Sequence, residues 1–192
     1  MGLSYSASNA QATRGFTLVE LMVTIAILAI ALTIGVPSFK ATIDKNGLEK
    51  RKDTFITAIN FARSSALQFN RNVLLCKRST ADPDTCDAAG NWENGWIVYV
   101  DKVRNDTLDA NDDELLRYYE GLGNFSLNED DDLNQIAFQS DGRIKSKVAG
   151  SADFPPAGAT FKLCNSDGDS SLDIFLNVLG RAQYKSGTTP CL

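Results

Sequence analysis

Residues Arg14–Leu32 read RGFTLVELMVTIAILAIAL, an apolar run broken near its start by one carboxylate, Glu20. The run continues to Val36, and a helix over Phe16–Val36 suits a crossing of about 30 Å of hydrocarbon. A charge at the centre of such a helix costs roughly 2.5–3.5 kcal/mol on insertion scales, so Glu20 is a candidate functional group. Gly35 and Pro37 close the run. Pro37 removes the helical hydrogen bond to the Thr33 carbonyl, which predicts a kink or local melting there.

The helical period then resumes. Phe55, Ile59, Ala62, Ala66 and Phe69 recur at spacings of four and three, which places them on one face. Between Lys40 and Asp53 the chain is mostly polar, with Gly47 a weak point. A helix from about Phe16 to Asn70 would be roughly 80 Å long at 1.5 Å per residue. No core of this size holds such a rod, so its first half belongs in a membrane or an assembly. From Val73 the period changes to two, predicting strands at Val73–Lys77, Trp96–Asp101, Glu114–Tyr119, Gln135–Gln139, Arg143–Ser146, Thr160–Cys164, Leu172–Val178 and Ala182–Lys185. Asn/Asp/Gly clusters separate them, Asp141-Gly142 being a tight-turn signal. The chain is therefore read as α+β. It divides into a short, polar, small-residue-rich start (1–15), a hydrophobic transmembrane or assembly helix (16–36), its amphipathic continuation (37–70) and an antiparallel β-rich head (71–192).

The 192 residues are 43% hydrophobic and 22% charged, the balance of a folded protein. A net charge of −5 argues against wholesale binding to nucleic acid or anionic lipid. Histidine is absent, which removes Ser-His-Asp and Cys-His catalysis and His-ligated metal sites. Cys76, Cys86, Cys164 and Cys191 form no CxxC pair, and an even count behind a membrane segment reads as two disulfides in an oxidising compartment. Three pairings are open; nearest-neighbour pairing, Cys76–Cys86 and Cys164–Cys191, is preferred. Asp109, Asn111, Asp113 and Glu120 fall at positions one, three, five and twelve of an EF-hand loop, but Glu114 stands where that loop needs glycine. These residues, Asp130–Asp132 and Asp167–Asp169 read as solvated acidic turns, with weak calcium binding the alternative. No phosphate loop, nucleophile elbow or spaced carboxylate pair occurs, so no enzyme, cofactor or metal site is expected.

An ordinary secretory signal ends in a small-residue cleavage site after its apolar run. RGFTLVE instead puts Arg14-Gly15 before the run, an order that resembles the class III signal of type IV prepilins. The resemblance implies cleavage between Gly15 and Phe16 by a prepilin peptidase and N-methylation of Phe16. Glu20 would then lie one turn from a charged amine, on the same face. Each charge is expensive alone, and together they partly neutralise one another; the family pattern puts that pairing between neighbouring subunits, where it sets axial register. Attraction to the helix dipole explains the place of Glu20 but not its burial. The charge flanks oppose this topology: Arg14 stands alone before the span, whereas Lys40, Lys45, Lys50, Arg51 and Lys52 follow it. Long domains translocate largely regardless of charge, and the cysteines call for an oxidising outside, so the head is expected beyond the membrane.

The head carries NWENGWIVYVD (Asn91–Asp101), DELLR (Asp113–Arg117), IAFQSDGRI (Ile136–Ile144), FKLC (Phe161–Cys164) and LNVLGRAQ (Leu176–Gln183). In this order the five stretches resemble the GspH/FimT/FimU group of minor pilins and type II secretion pseudopilins, which implies the type IV pilin fold. Trp92, Trp96 and Tyr99 read as core aromatics of a strand. DNA-receptor members carry Gly-Arg-x-Arg near their last strands. Here Gly180-Arg181-Ala182-Gln183 lacks the second arginine, so Arg181 and Lys185, with Lys145 and Lys147 nearby at most, make only a weak possible DNA contact.

The resemblance implies a minor pilin of a Gram-negative bacterium that helps initiate type IV pilus assembly and sits at or near the tip, serving adhesion and twitching motility. Its helix would contact other minor pilins and the major pilin, with Glu20 and Pro37 as assembly residues. Before assembly it would sit in the inner membrane with a periplasmic head, and afterwards at the extracellular tip. The alternatives are an H-type minor pseudopilin of type II secretion and a FimT-like DNA receptor for natural transformation.

Overall fold

The computed structural model describes residues 15–109, 111–129, 132–148, 158–187 and 191, without the side chains of 34–39, 41 and 148. The expected leader up to residue 14, the side chain of Pro37, and Asp130 and Asp131 lie outside the described residues. One helix, α1 (Leu18–Phe69), continues through Pro37. The expected melting is absent, because proline deletes one rung of the ladder and leaves those of the flanking turns. The chain divides into two units, Met1–Thr42 and Ile43–Leu192.

Within the second unit α1 buries Leu48, Lys52, Phe55, Ala58, Ile59, Ala62, Ser65 and Ala66. The face begins earlier than the apolar periodicity indicates, since Leu48 and Lys52 belong to it. It also ends earlier: Phe69 is 45% exposed. The helix stops there because Asn70 is left-handed (φ 51°) and the Arg71 N–H donates to the Ala66 carbonyl at 3.3 Å, a Schellman-type end.

Nine strands are described. A five-stranded antiparallel sheet contains β1 (Val73–Lys77), β2 (Gly95–Val100), β3 (Glu114–Glu120), β5 (Leu133–Phe138) and β6 (Ile144–Val148), in the order β3-β2-β1-β5-β6. A four-stranded antiparallel sheet contains β4 (Ser126–Glu129), β7 (Ala159–Cys164), β8 (Ser171–Leu176) and β9 (Ala182–Ser186), in the order β4-β7-β8-β9. Central strand β1 aligns Leu75 with both Val98 and Ile136. Strand β4 is the one the sequence did not indicate. Its four residues bury only Leu127, and pairing with β7 (Leu127 opposite Leu163) supplies its order.

The core lies among α1 and the two sheets. Phe55 meets Trp96 and Phe161 edge-on at 4.9 and 4.8 Å between ring centroids, with Trp92 at 5.9 Å. Such pairs add about 0.5–1.5 kcal/mol each beyond area burial. Trp92 belongs to a 3₁₀ turn (Trp92–Asn94) rather than a strand, and its indole N–H donates to the Leu133 carbonyl at 2.7 Å. The other face of the large sheet carries Leu74, Cys76, Ile97, Tyr99 and Ala137, packed by Cys86 and Leu108 from the β1–β2 and β2–β3 connections.

Cys76 is bonded to Cys86 and Cys164 to Cys191, with Cα atoms 5.8 and 6.1 Å apart. The first bridge ties the β1–β2 loop to its strand. The second ties the chain end to the β7–β8 turn, where the Cys191 N–H donates to the Gly168 carbonyl at 3.1 Å.

Candidate functional site

Gly15 and Phe16 precede α1, and Phe16 is 75% exposed. Thr17 caps the helix: its hydroxyl oxygen accepts the Glu20 N–H at 3.2 Å, and its carbonyl accepts the Leu21 N–H at 3.2 Å. Thr17-x-x-Glu20 is the spacing of a capping box, a signal present in the sequence beside the charge argument and not used there. Glu20 thus sits in the first turn, where the helix dipole favours a carboxylate.

From Leu21 to Thr33 the helix is apolar on every face. Leu21, Met22, Val23, Ile25, Ile27, Leu28, Ile30 and Leu32 are all exposed. The Thr24 and Thr33 hydroxyls donate back to the Leu21 and Ile30 carbonyls at 2.8 and 2.7 Å, so even the threonines present methyl groups with their donors satisfied. An all-round apolar helix needs an apolar surrounding. Among the described residues no helix is long and apolar enough to cross a membrane; the side chains of residues 34–36, which complete the run, are outside the described set.

In the head, Lys52 is buried between Glu49 and Asp53, its ammonium 3.8 Å from the centre of the Tyr184 ring. Burial pulls this ammonium down, but its hydrogen bonds to Glu49, Asp53 and Tyr184 outweigh that and hold it above the ordinary lysine range. Lys77 of β1 pairs with Glu129 of β4, a buried link between the two sheets. Sequence reasoning missed it, because the partners are 52 residues apart.

The acidic loop between β2 and β3 is closed on itself. Asp101 is fully buried, and its carboxylate accepts the backbone N–H groups of Arg104, Asn105 and Asp106. Arg104 and Asp106 are left-handed, at φ 62° and 57°. Asp113 accepts from the N–H of Lys102 at 2.8 Å and of Asp109 at 2.9 Å. These carboxylates order backbone, and Glu120 lies at the far end of β3. Among the described residues no group of three metal-ligating side chains is placed to hold an ion.

Gly180-Arg181 belongs to the β8–β9 turn. Asn177 organises it, its side-chain oxygen accepting the Leu179 and Arg181 N–H groups at 3.0 and 3.1 Å. Arg181 and Lys185 are exposed. Lys185 stands opposite Asp173 in the β8–β9 register, and Asp173 stands opposite Lys162 of β7. Its ammonium also lies 4.8 Å from the Phe175 ring. Lys145 and Lys147 are on β6, in the other sheet.

A capped apolar helix leading into an α1-backed pair of antiparallel sheets defines a subunit of the pilin type. The chain belongs to the GspH family: the family model for type II transport protein GspH matches residues 53–180. The prokaryotic N-terminal methylation motif matches residues 11–36. Prepilin peptidase-dependent protein D of Escherichia coli K12 is 36% identical over 78 residues, which are 41% of this chain and 46% of that protein. The match thus spans about half the length of that relative. Two crystal forms of the type IV minor pilin FimU of Pseudomonas aeruginosa PAO1 share the fold. Their TM-scores are 0.51 and 0.52 at 18% and 16% identity, over 76% and 78% of this chain and 98% and 96% of theirs. The fold is the type IV pilin fold, and the chain is a pilin-like minor subunit of the GspH/FimU kind.

Proposed function

We propose that this chain is a minor pilin that helps initiate type IV pilus assembly and occupies the tip region. Family membership implies contact with other pilins in a pilus or pseudopilus; the finer reading makes those contacts the work of Phe16–Val36. The observation that carries it is a helix start apolar on all faces after Glu20, which lies four residues beyond Phe16 inside the segment matched by the methylation motif. On this reading a prepilin peptidase cuts between Gly15 and Phe16 and methylates Phe16. The segment rests in the inner membrane with the head in the periplasm, and then transfers to the filament. The role is structural rather than enzymatic.

Intact mass of membrane-extracted protein tests the processing: a chain beginning at N-methylated Phe16 is expected. Retention of residues 1–15 in cells with an active prepilin peptidase overturns the reading. A second reading, a minor pseudopilin of type II secretion, is favoured by the description of the matched family itself. Deleting the gene separates the two: loss of sheared surface pili with normal protein secretion supports the pilus, and the reverse supports the secretion system.

A further inference from the structure

Strand β9 is an open edge of the four-stranded sheet, and every residue after Ala182 in it is exposed. Its register with β8 is unbroken from Ala182 to Ser186, and it holds neither proline nor bulge. Natural edges are usually blunted by such devices, because free N–H and C=O groups template further pairing. The Asn177 N–H donates to the Arg181 carbonyl at 3.1 Å and the Gly187 N–H to the Ser171 carbonyl at 2.9 Å. Bonded pairs alternate along an antiparallel ladder. Gln183 and Lys185 therefore bond to β8, while Ala182, Tyr184 and Ser186 turn their backbone groups outward. Among the described residues no backbone group outside the sheet bonds to them.

What fits this edge follows from its own sequence. Two copies of β9 laid antiparallel about Tyr184 bring Ala182 opposite Ser186 and Tyr184 opposite Tyr184, so the outward donors all meet outward acceptors. Lys185 then faces Gln183 of the other copy, and no like charges meet. The Tyr184 rings, 53% exposed, form an aromatic cross-strand pair. Shifting the centre by one residue to either side sets Lys185 against Arg181 or against itself. The other edges lack this fit. Centred on itself, β3 sets Glu114 against Glu120 and Arg117 against Arg117, and β6 sets Lys145 against Lys147. Like charges directly opposite are destabilising. β4 is four residues long and has the Trp92–Asn94 turn packed beside it.

We infer that β9 is a docking edge for β9 of a second copy of this chain, joining two four-stranded sheets into one of eight strands. Such a two-fold contact closes on itself. It is therefore a paired form that stands apart from the open-ended contacts of a filament, and it holds whichever filament the chain joins. A contact through one short strand falls in the weak, transient class, so trapping is the way to catch it.

The test uses the full chain in lauryldimethylamine oxide micelles. Ala182→Cys protein is mixed with Ser186→Cys protein and mildly oxidised, and the bridges are mapped by mass spectrometry. Opposed bonded residues lie about 5.5 Å apart between Cα atoms, within disulfide reach. In either protein alone the new thiols sit four residues apart along the paired strands, beyond that reach. Bridging in the mixture only is expected. Adding Gln183→Glu to both proteins places a carboxylate opposite Lys185 and should raise the bridging rate about two- to tenfold, whereas Gln183→Lys should lower it by a similar factor. A circular dichroism melt reports folding. If Ala182→Cys does not fold, Gln183→Cys mixed with Lys185→Cys, opposed at about 4.5 Å, carries the register test. No bridge in the folded mixture, equal bridging by one protein alone, or equal rates with Gln183→Glu and Gln183→Lys overturns the proposal; the last outcome would place association elsewhere, as in the apolar start of α1.

Discussion

Glu20 can serve its own helix or a neighbouring subunit, and the two roles make different demands. A capping box accepts glutamine at this position as well as glutamate, whereas pairing with a protonated amine needs the charge. Glu20→Gln and Glu20→Val are both expected to be inserted and processed yet missing from sheared filaments. Incorporation of Glu20→Gln with exclusion of Glu20→Val would assign the residue to capping instead. Lys52 and Tyr99 are expected to set the alkaline limit of the head. Burial, with Asp101 nearby, pushes the Tyr99 phenol up, and the Lys52 ammonium is also held above its ordinary range. For each, the folded state keeps a proton that the unfolded chain releases near its reference value of about 10. Their stabilisation is therefore complete below about pH 10 and lost as pH rises beyond it. The thermal midpoint should fall above that pH, less steeply in Tyr99→Phe; an unchanged slope would show that the phenol does not contribute.

The turns carry the next level of organisation. Gly180 is left-handed (φ 69°), and a Cβ there would lie 2.7 Å from the Gly142 carbonyl oxygen and 3.0 Å from Cδ of Arg63. Arg63 donates to that same carbonyl at 3.3 Å, and the Ile144 N–H donates to the Val178 carbonyl at 3.0 Å. Two hairpin turns from different sheets thus lock against α1. Gly180→Ala combines backbone strain with overpacking and should destabilise by about 1–3 kcal/mol in urea unfolding. Leu179→Ala beside it, half exposed, should stay within about 0.5 kcal/mol. The disulfides act at the same scale. Opening the 10- and 27-residue separations should remove about 3 kcal/mol each in the chain-entropy account. Non-reducing peptide mapping should recover Cys76–Cys86 and Cys164–Cys191, and free thiols there would contradict an oxidising location. Strands such as β1 were legible because Val73, Leu74 and Leu75 are apolar in themselves. β4 was not, since SLNE gains its strand character from β7 and not from its own composition. The α1 face was legible from Phe55 to Ala66. Lys52 was hidden because a lysine is buried only where carboxylates and an aromatic ring receive it, and Tyr184 comes from 132 residues along the chain.

For the molecule as a whole, the net charge argues against nucleic acid. Net −5 opposes a polyanion, and Lys185 stands in a cross-strand row with Asp173. Duplex affinity comes mostly from phosphate neutralisation, with a salt slope of about −0.9 per contact. The full chain in detergent should show no DNA retardation at physiological salt and micromolar protein. A salt-dependent shift abolished by Arg181→Ala or Lys185→Ala would promote the DNA-receptor reading. The start of the chain was the most legible part of the candidate site, because an apolar run with one charge announces itself in one dimension. The Lys77–Glu129 link was illegible, since its partners lie 52 residues apart and meet only after both sheets have folded.

The all-round apolar start of α1 has a mechanical consequence. Spinning such a rod about its axis swings Glu20 to another side, and ridges seated in the grooves of any neighbour resist the turn. Sliding it lengthwise moves Glu20 away from whatever seats it. On the proposed assembly role the segment would work as a keyed peg, its one charge fixing both how deep it sits and which way it faces.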